Sequence, residues 1–199
     1  TKYPVLSIKE SDSCYDDLPN FNRGEYVNKG VYYNYPETKS SDDIHVWRMS
    51  SAQVTKQYDN LFHGSSNLEI TITYPSISGY VNDCTVIHTA FTRSEIKNKT
   101  WKSVNLLLNT DWIPEELSNG MFVVETDGGE TVSTDLTTKY KGPVTGLETG
   151  VTTTISYKDE DDVIGRQVYK RSYVFSSEGA TKQVFDNGGF NFFMSVSNN

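Results

Sequence analysis

The sequence predicts an all-β protein, a compact antiparallel β-barrel or β-sandwich of roughly ten strands with one or two short helices. Three observations predict it. Apolar residues alternate with Thr, Ser and Glu in several short runs, of which Asn67–Tyr74 (NLEITITY) is the clearest. Turn-forming groups such as Asp127-Gly128-Gly129 and Asn187-Gly188 separate the runs. The composition, 36% hydrophobic and 13% aromatic with 13 tyrosines, is short of aliphatics and suits sheets with one dry and one wet face. Residues 1–199 read as one domain, because no linker, repeat or second core interrupts them.

Residues 1–9 (TKYPVLSIK) fit an opening strand, with Pro4 at its start or on an edge. Residues 10–22 are polar and acidic, hence a loop. The run Gly24–Tyr35 (GEYVNKGVYYNY) is extended, with a bulge or turn at Asn28-Lys29-Gly30. After a second loop, Ile44–Met49 alternates as a short strand. Ser50–Gly64 is open between two readings. A helix capped by Ser50 or Ser51 would align Val54, Tyr58 and Leu61, while its β-branched residues and Asp59-Asn60 oppose one. In Asn67–Tyr74, Leu68, Ile70, Ile72 and Tyr74 face the core and Glu69, Thr71 and Thr73 face away. Pro75–Asn82 turns the chain, Cys84–Phe91 is a strand, and SEIKNKT is a basic, polar loop.

The middle of the protein is Trp101–Leu136. Val104–Leu108 is apolar on both faces, as expected for a strand in the centre of the core. Asp111 can cap a short helix with Pro114 in its first turn and Glu115 and Glu116 near its positive end. Asn119-Gly120 would stop that helix, and Trp112 would lie at an interface. Met121–Glu125 returns as a strand and Asp127-Gly128-Gly129 reverses it. Thr131–Tyr140 and Val151–Tyr157 are alternating strands. Asp159–Asp162 tips a hairpin before a long strand, Val163–Phe175, with a bulge at Gly165. Gln183–Phe185 and Gly189–Val196 complete the sheet.

A net charge of -8 disfavours nucleic acid as a partner, since phosphate binding needs a basic footprint. No apolar run is long enough to insert into a membrane as a helix. The first residue, Thr1, suggests a piece processed from a longer protein. Cys14 and Cys84 read as free thiols, with a bridge left open. His45, His63 and His88 have no shared ligand spacing, and the Asp159–Asp162 run reads as a solvated tip, so no metal and no cofactor are expected. Nucleophile and phosphate-loop motifs are missing, and Glu69 and Glu125 fit solvent-facing positions, so no enzymatic activity is expected. Asn98-Lys99-Thr100 is a formal glycosylation acceptor.

The remaining signal is aromatic. Tyr26, Tyr32, Tyr33, Tyr35 and Trp47 lie beside acidic or amide residues, the combination that sugar and protein recognition both use. These five are the candidate ligand-binding residues, and core packing is the competing reading of each. The strand-rich layout, the GEYVNKGVYYNY segment and the terminal GGFNFFMSV strand resemble an astrovirus capsid spike domain. That resemblance implies a β-barrel projection on the virion surface. Such a projection forms a homodimer, attaches to a host-cell receptor (protein or glycan) and carries epitopes for neutralising antibodies. The alternative is a carbohydrate-binding or adhesin module of a bacterial or phage protein.

Overall fold

A computed structural model describes residues 44–58, 65–75, 82–142, 145–185 and 189–198. Their elements run β1 (His45–Val54), β2 (Ser65–Pro75), β3 (Asn82–Thr92), α1 (Arg93–Lys97), β4 (Lys102–Trp112) and β5 (Glu116–Glu125). They continue with β6 (Thr131–Lys141), β7 (Glu148–Lys158), β8 (Asp162–Lys170), α2 (Arg171–Val174), β9 (Gln183–Val184) and β10 (Phe190–Asn198). All pairings are antiparallel. One sheet has the order β4-β1-β10-β9; the other runs β3-β2-β5-β6-β7, with β8 also paired to β5. The sheets do not close, so the sandwich, not the barrel, is the architecture.

The main core lies between the sheets. Trp47, Met49, Ala52 and Val54 of β1 and Phe190, Phe192 and Met194 of β10 meet Leu68, Ile70 and Ile72 of β2 and Met121 and Val123 of β5. In β1 the pairing register shifts between Met49 and Ser51. This bulge absorbs Ser50, so that Ala52 and Val54 stay on the same face as Met49. The helical reading of Ser50–Gly64 is therefore overturned over Ser50–Val54, and residues 59–64 lie outside the described residues. Pairing with β4 and β10 on both sides satisfies the backbone of this segment, and four buried apolar side chains outweigh a weak helical pattern.

A second, smaller core lies on the other face of β5. Phe122 and Val124 point away from the main core and pack against Leu136 and Ile155 of the β6–β7 hairpin. Strand β6 pairs with β5 only at Glu116↔Tyr140 and Ser118↔Lys139. From Gly120 to Glu125 that same edge of β5 is taken by β2, while β8 lines the opposite edge from Ser118 to Glu125. The hairpin must therefore leave the sheet plane and fold across its outer face. That explains why Thr71 and Thr73, expected to face away from the core, are buried at 1% and 0%. It also explains Gly120, where a Cβ would overlap Leu136 Cδ2 and lie 2.6 Å from Thr73 Oγ1.

The expected helix after Asp111 does not form. β4 extends through Trp112, and β5 begins at Glu116 in the opposite sheet, so residues 113–115 form only a turn closed by Glu116 N–H to the Ile113 carbonyl (3.1 Å). Asn119-Gly120, read as a helix stop, is the middle of β5. Trp112 is not at an interface: it is fully buried, and its Nε1–H donates to the Glu116 carbonyl at 2.7 Å. Nor is β4 central. It ends its sheet's strand order, with Leu107 41% exposed. The helix that does form here is α1, in the segment read as a basic loop. Thr92 and Glu95 make a reciprocal capping box around its first turn. Likewise the long strand expected over Val163–Phe175 gives way to α2 at Arg171.

Cys84 is disulfide-bonded, which replaces the free-thiol reading. The only other cysteine, Cys14, lies outside the described residues.

Candidate recognition cleft

Four of the five candidate ligand-binding residues, Tyr26, Tyr32, Tyr33 and Tyr35, lie outside the described residues. Trp47 is not available to a ligand. It has no exposed surface, packs against Trp112 (ring centroids 5.0 Å apart) and Tyr169 (5.6 Å), and donates its Nε1–H to Met194 Sδ at 3.2 Å. Its alternation with Met49 on β1 puts it inside the sandwich. The core reading holds for Trp47.

A cleft of about 340 Å³ opens elsewhere, between the β6–β7 hairpin and β8. Its floor is Phe122 of β5 beside Ile164 and Gly165 of β8; Thr134 of β6 and Tyr157 of β7 form one wall, and Val163 and Arg166 the other. The geometry follows from the predicted bulge in β8. Opposite Val123 and Val124 the register shifts, so that Ile164 is accommodated as the extra residue and enters the main core. Val163 and Arg166 consequently both face the hairpin. Gly165 thins the strand at this point, because any side chain there would run into the buried Phe185 ring on the core side.

Inside the cleft, the Tyr157 and Phe122 rings pack at 5.3 Å with their planes inclined by 58°. Arg166 Nη1–H donates to Thr134 Oγ1 at 2.7 Å. Among the described residues no carboxylate forms an ion pair with Arg166, although the chain as a whole carries a charge of -8. The cleft thus presents an aromatic face, a hydroxyl and a guanidinium with most of its donors free. None of these residues was singled out by sequence. The available signal was Gly165-Arg166 within a strand, a glycine marking close approach beside a cation.

An acidic knot borders the cleft next to Val163. The Asp159–Asp162 run is solvated as expected, with Asp159, Glu160 and Asp162 exposed, but it does not tip a hairpin: β8 pairs with β5 and the run is fastened to the Asp127–Glu130 loop. Asp161 Oδ1 accepts from the backbone N–H of Asp127 (2.8 Å) and Gly128 (3.1 Å), while its Oδ2 accepts from Lys158 N–H (2.8 Å). Asp159 Oδ1 accepts from Glu130 N–H at 2.8 Å. The two loops approach closely because Gly128 and Gly129 adopt φ of 127° and 100°, and a Cβ on Gly129 would collide with Asp159.

Glu125, expected to face solvent, is fully buried, and its Oε1 accepts from Asn67 N–H at 3.1 Å. Oxygens of Glu125, Asp127 and Asp162 lie within 4.8 Å of one another, the donor type that a hard cation takes. Such ions are usually ringed by six to eight oxygens, about twice what three monodentate carboxylates supply. His45 and His88 are not joined in one site: His45 Nδ1 lies 3.1 Å from Arg171 Nη2, and His88 Nδ1 lies 4.0 Å from the Glu69 carboxylate. His63 is outside the described residues.

The knot also acts on Tyr58. Burial, and secondarily the Asp162 charge, disfavour the phenolate and push its pKa up to about 12. Its hydroxyl is buried without a hydrogen-bond partner among the described residues. An unfolded tyrosine ionises near pH ~10, so above that pH the native state retains a proton that the unfolded state has released. The stabilisation from this group is complete below about pH 10 and is lost as the pH rises towards 12. Urea unfolding across this window should show the parent protein losing stability relative to Tyr58→Phe. Parallel stability curves for the two proteins would contradict it.

Compared with known proteins, the chain matches no family model, no curated protein and no solved structure.

Proposed function

We propose that this domain is the surface spike of a viral capsid, which attaches the virion to a host-cell receptor, acts as a homodimer and is a target of neutralising antibodies. The observation that carries this reading is the cleft between the β6–β7 hairpin and β8. It combines aromatic faces with a hydroxyl and an arginine, the mixture that recognition sites use to orient a ligand. Two features support a location outside the cell. Cys84 is held in a disulfide, a bond that persists in oxidising surroundings, and Asn98 of the Asn98-Lys99-Thr100 acceptor is exposed at the end of α1. A carbohydrate-binding or adhesin module from a bacterium or phage would use the same cleft, and the cleft's aromatic lining favours it as the second reading.

Solution mass and cell attachment separate the two. A spike is expected to run as a dimer, bind permissive cells and block infection when added in excess. A monomer that binds glycans but neither attaches to such cells nor blocks infection would favour the module.

A further inference from the structure

We propose that the cleft accepts a sugar bearing a single carboxylate, at the end of a glycan. This assignment rests on the reading above that the cleft is the attachment site, and it adds the chemistry of the ligand.

Arg166 carries the argument. Its guanidinium is fixed through one N–H to the neutral hydroxyl of Thr134 at 2.7 Å, and no carboxylate of the described residues neutralises it. A guanidinium held at a cleft wall with a free fork of donors matches a carboxylate in a paired, planar geometry. Opposite it, Tyr157 lies against Phe122 and offers an aromatic surface suited to the apolar face of a sugar ring. Exposed Val163 extends that apolar surface at the mouth.

Charge and size narrow the class. Among the described residues Arg166 is the only cation lining the cleft, and exposed Asp162 adjoins its lining residue Val163, so a polyanion such as nucleic acid or a heavily sulfated glycan would be repelled beyond its first charge. One carboxylate satisfies the arginine and adds no further repulsion. A volume of about 340 Å³ sits at the small end of the ligand-site range, which suits one terminal sugar with its linkage and not an extended peptide.

The test is an NMR titration of the folded domain with four probes: methyl α-sialoside, methyl β-glucuronide, methyl β-galactoside and sodium acetate. The two carboxylated sugars, which represent the sialic and uronic sources of the same chemistry, are expected to shift the signals of Thr134, Tyr157 and Arg166. At least one should saturate, while the galactoside and acetate should not. Arg166→Gln should weaken the saturating sugar by about ten- to a hundredfold, the loss expected for a charge-assisted hydrogen-bond pair. Arg166→Lys should recover only part of it, because a point charge lacks the fork. Arg166 is exposed, so melting curves of these variants are expected to match the parent; Tyr157→Leu provides a second, independent loss of binding.

Four outcomes overturn the proposal: saturation by neither carboxylated sugar, equal binding of the neutral galactoside, unchanged affinity in Arg166→Gln, or acetate competing at the sugar's own concentration. Cell attachment, run in parallel, keeps the two readings apart. If the parent and Arg166→Gln attach equally well, the attachment role stands and this ligand fails. If the sugars bind as described but no cell is bound, the ligand stands and the attachment role fails.

Discussion

Replacing Trp47 by alanine is expected to lower the stability of the domain by about 3–5 kcal/mol, the range for truncating a fully buried large aromatic. Trp47 is enclosed on all sides, with Trp112 and Tyr169 rings against it and Met194 Sδ accepting from its indole N–H. Its removal leaves a cavity that the two sheets cannot close, since β1 is pinned between β4 and β10. Trp47→Phe keeps most of the packing and loses the N–H contact, so a smaller loss is expected. Urea midpoints with unchanged slopes measure both. Trp47→Phe should also bind cells and sugars as the parent does. Stability equal to the parent's in Trp47→Ala, combined with weakened attachment, would return this residue to a ligand-binding role.

The second large effect is at Gly120. Valine in its place should cost about 1–3 kcal/mol or somewhat more, the usual penalty for forcing extra atoms into a packed interior. The new side chain would occupy the space of Leu136 and press on Thr73 Oγ1, 2.6 Å from the added Cβ. Both neighbours belong to the interface between the sheet and the folded-back hairpin, so the damage should be local before it is global. Hydrogen exchange should quicken in β6 and β7 while protection in β1 and β10 is retained. Pairing the change with Leu136→Ala, which vacates the contested space, should cost less than the two single changes added together. Strict additivity would mean that Gly120 and Leu136 do not compete for the same volume.

These two positions also show why some features were legible and others were not. Leu68, Ile70 and Ile72 alternate with Glu69 and Thr71, so the buried face of β2 could be read from spacing, whereas Trp47 follows the equally buried Val46 and only its register with Met49 marks its face. The sequence also pointed to a bulge at Gly165, which lies one residue earlier at Ile164, and to alternating strands over Thr131–Tyr140 and Val151–Tyr157, which pair with each other as β6 and β7. Reading the turn after Asp111 as a helix failed because a cap, a proline and two glutamates describe the first turn of a helix without saying whether a second can follow. Here the chain must pass from one sheet to the other in three residues. The capping box at Thr92 and Glu95 is present in the sequence, but the charged residues around it and the single buried side chain, Ile96, leave no apolar face that marks a helix.

The cleft was illegible for a different reason. Phe122, Thr134, Tyr157 and Arg166 come from four strands, and no local pattern links them. The sequence by itself determined the strand-rich class, most strand positions and the glycine turns, because alternation and backbone freedom act within a few residues. The tertiary structure decided that β2 holds the edge of β5 along which β6 would otherwise continue, that the displaced hairpin then covers Thr71 and Thr73, and that a cleft opens between the hairpin and β8 with an arginine that no carboxylate of the described residues pairs. Those outcomes depend on competition between distant strands for one backbone edge, and the winner is set by how much apolar surface each arrangement buries over the whole molecule.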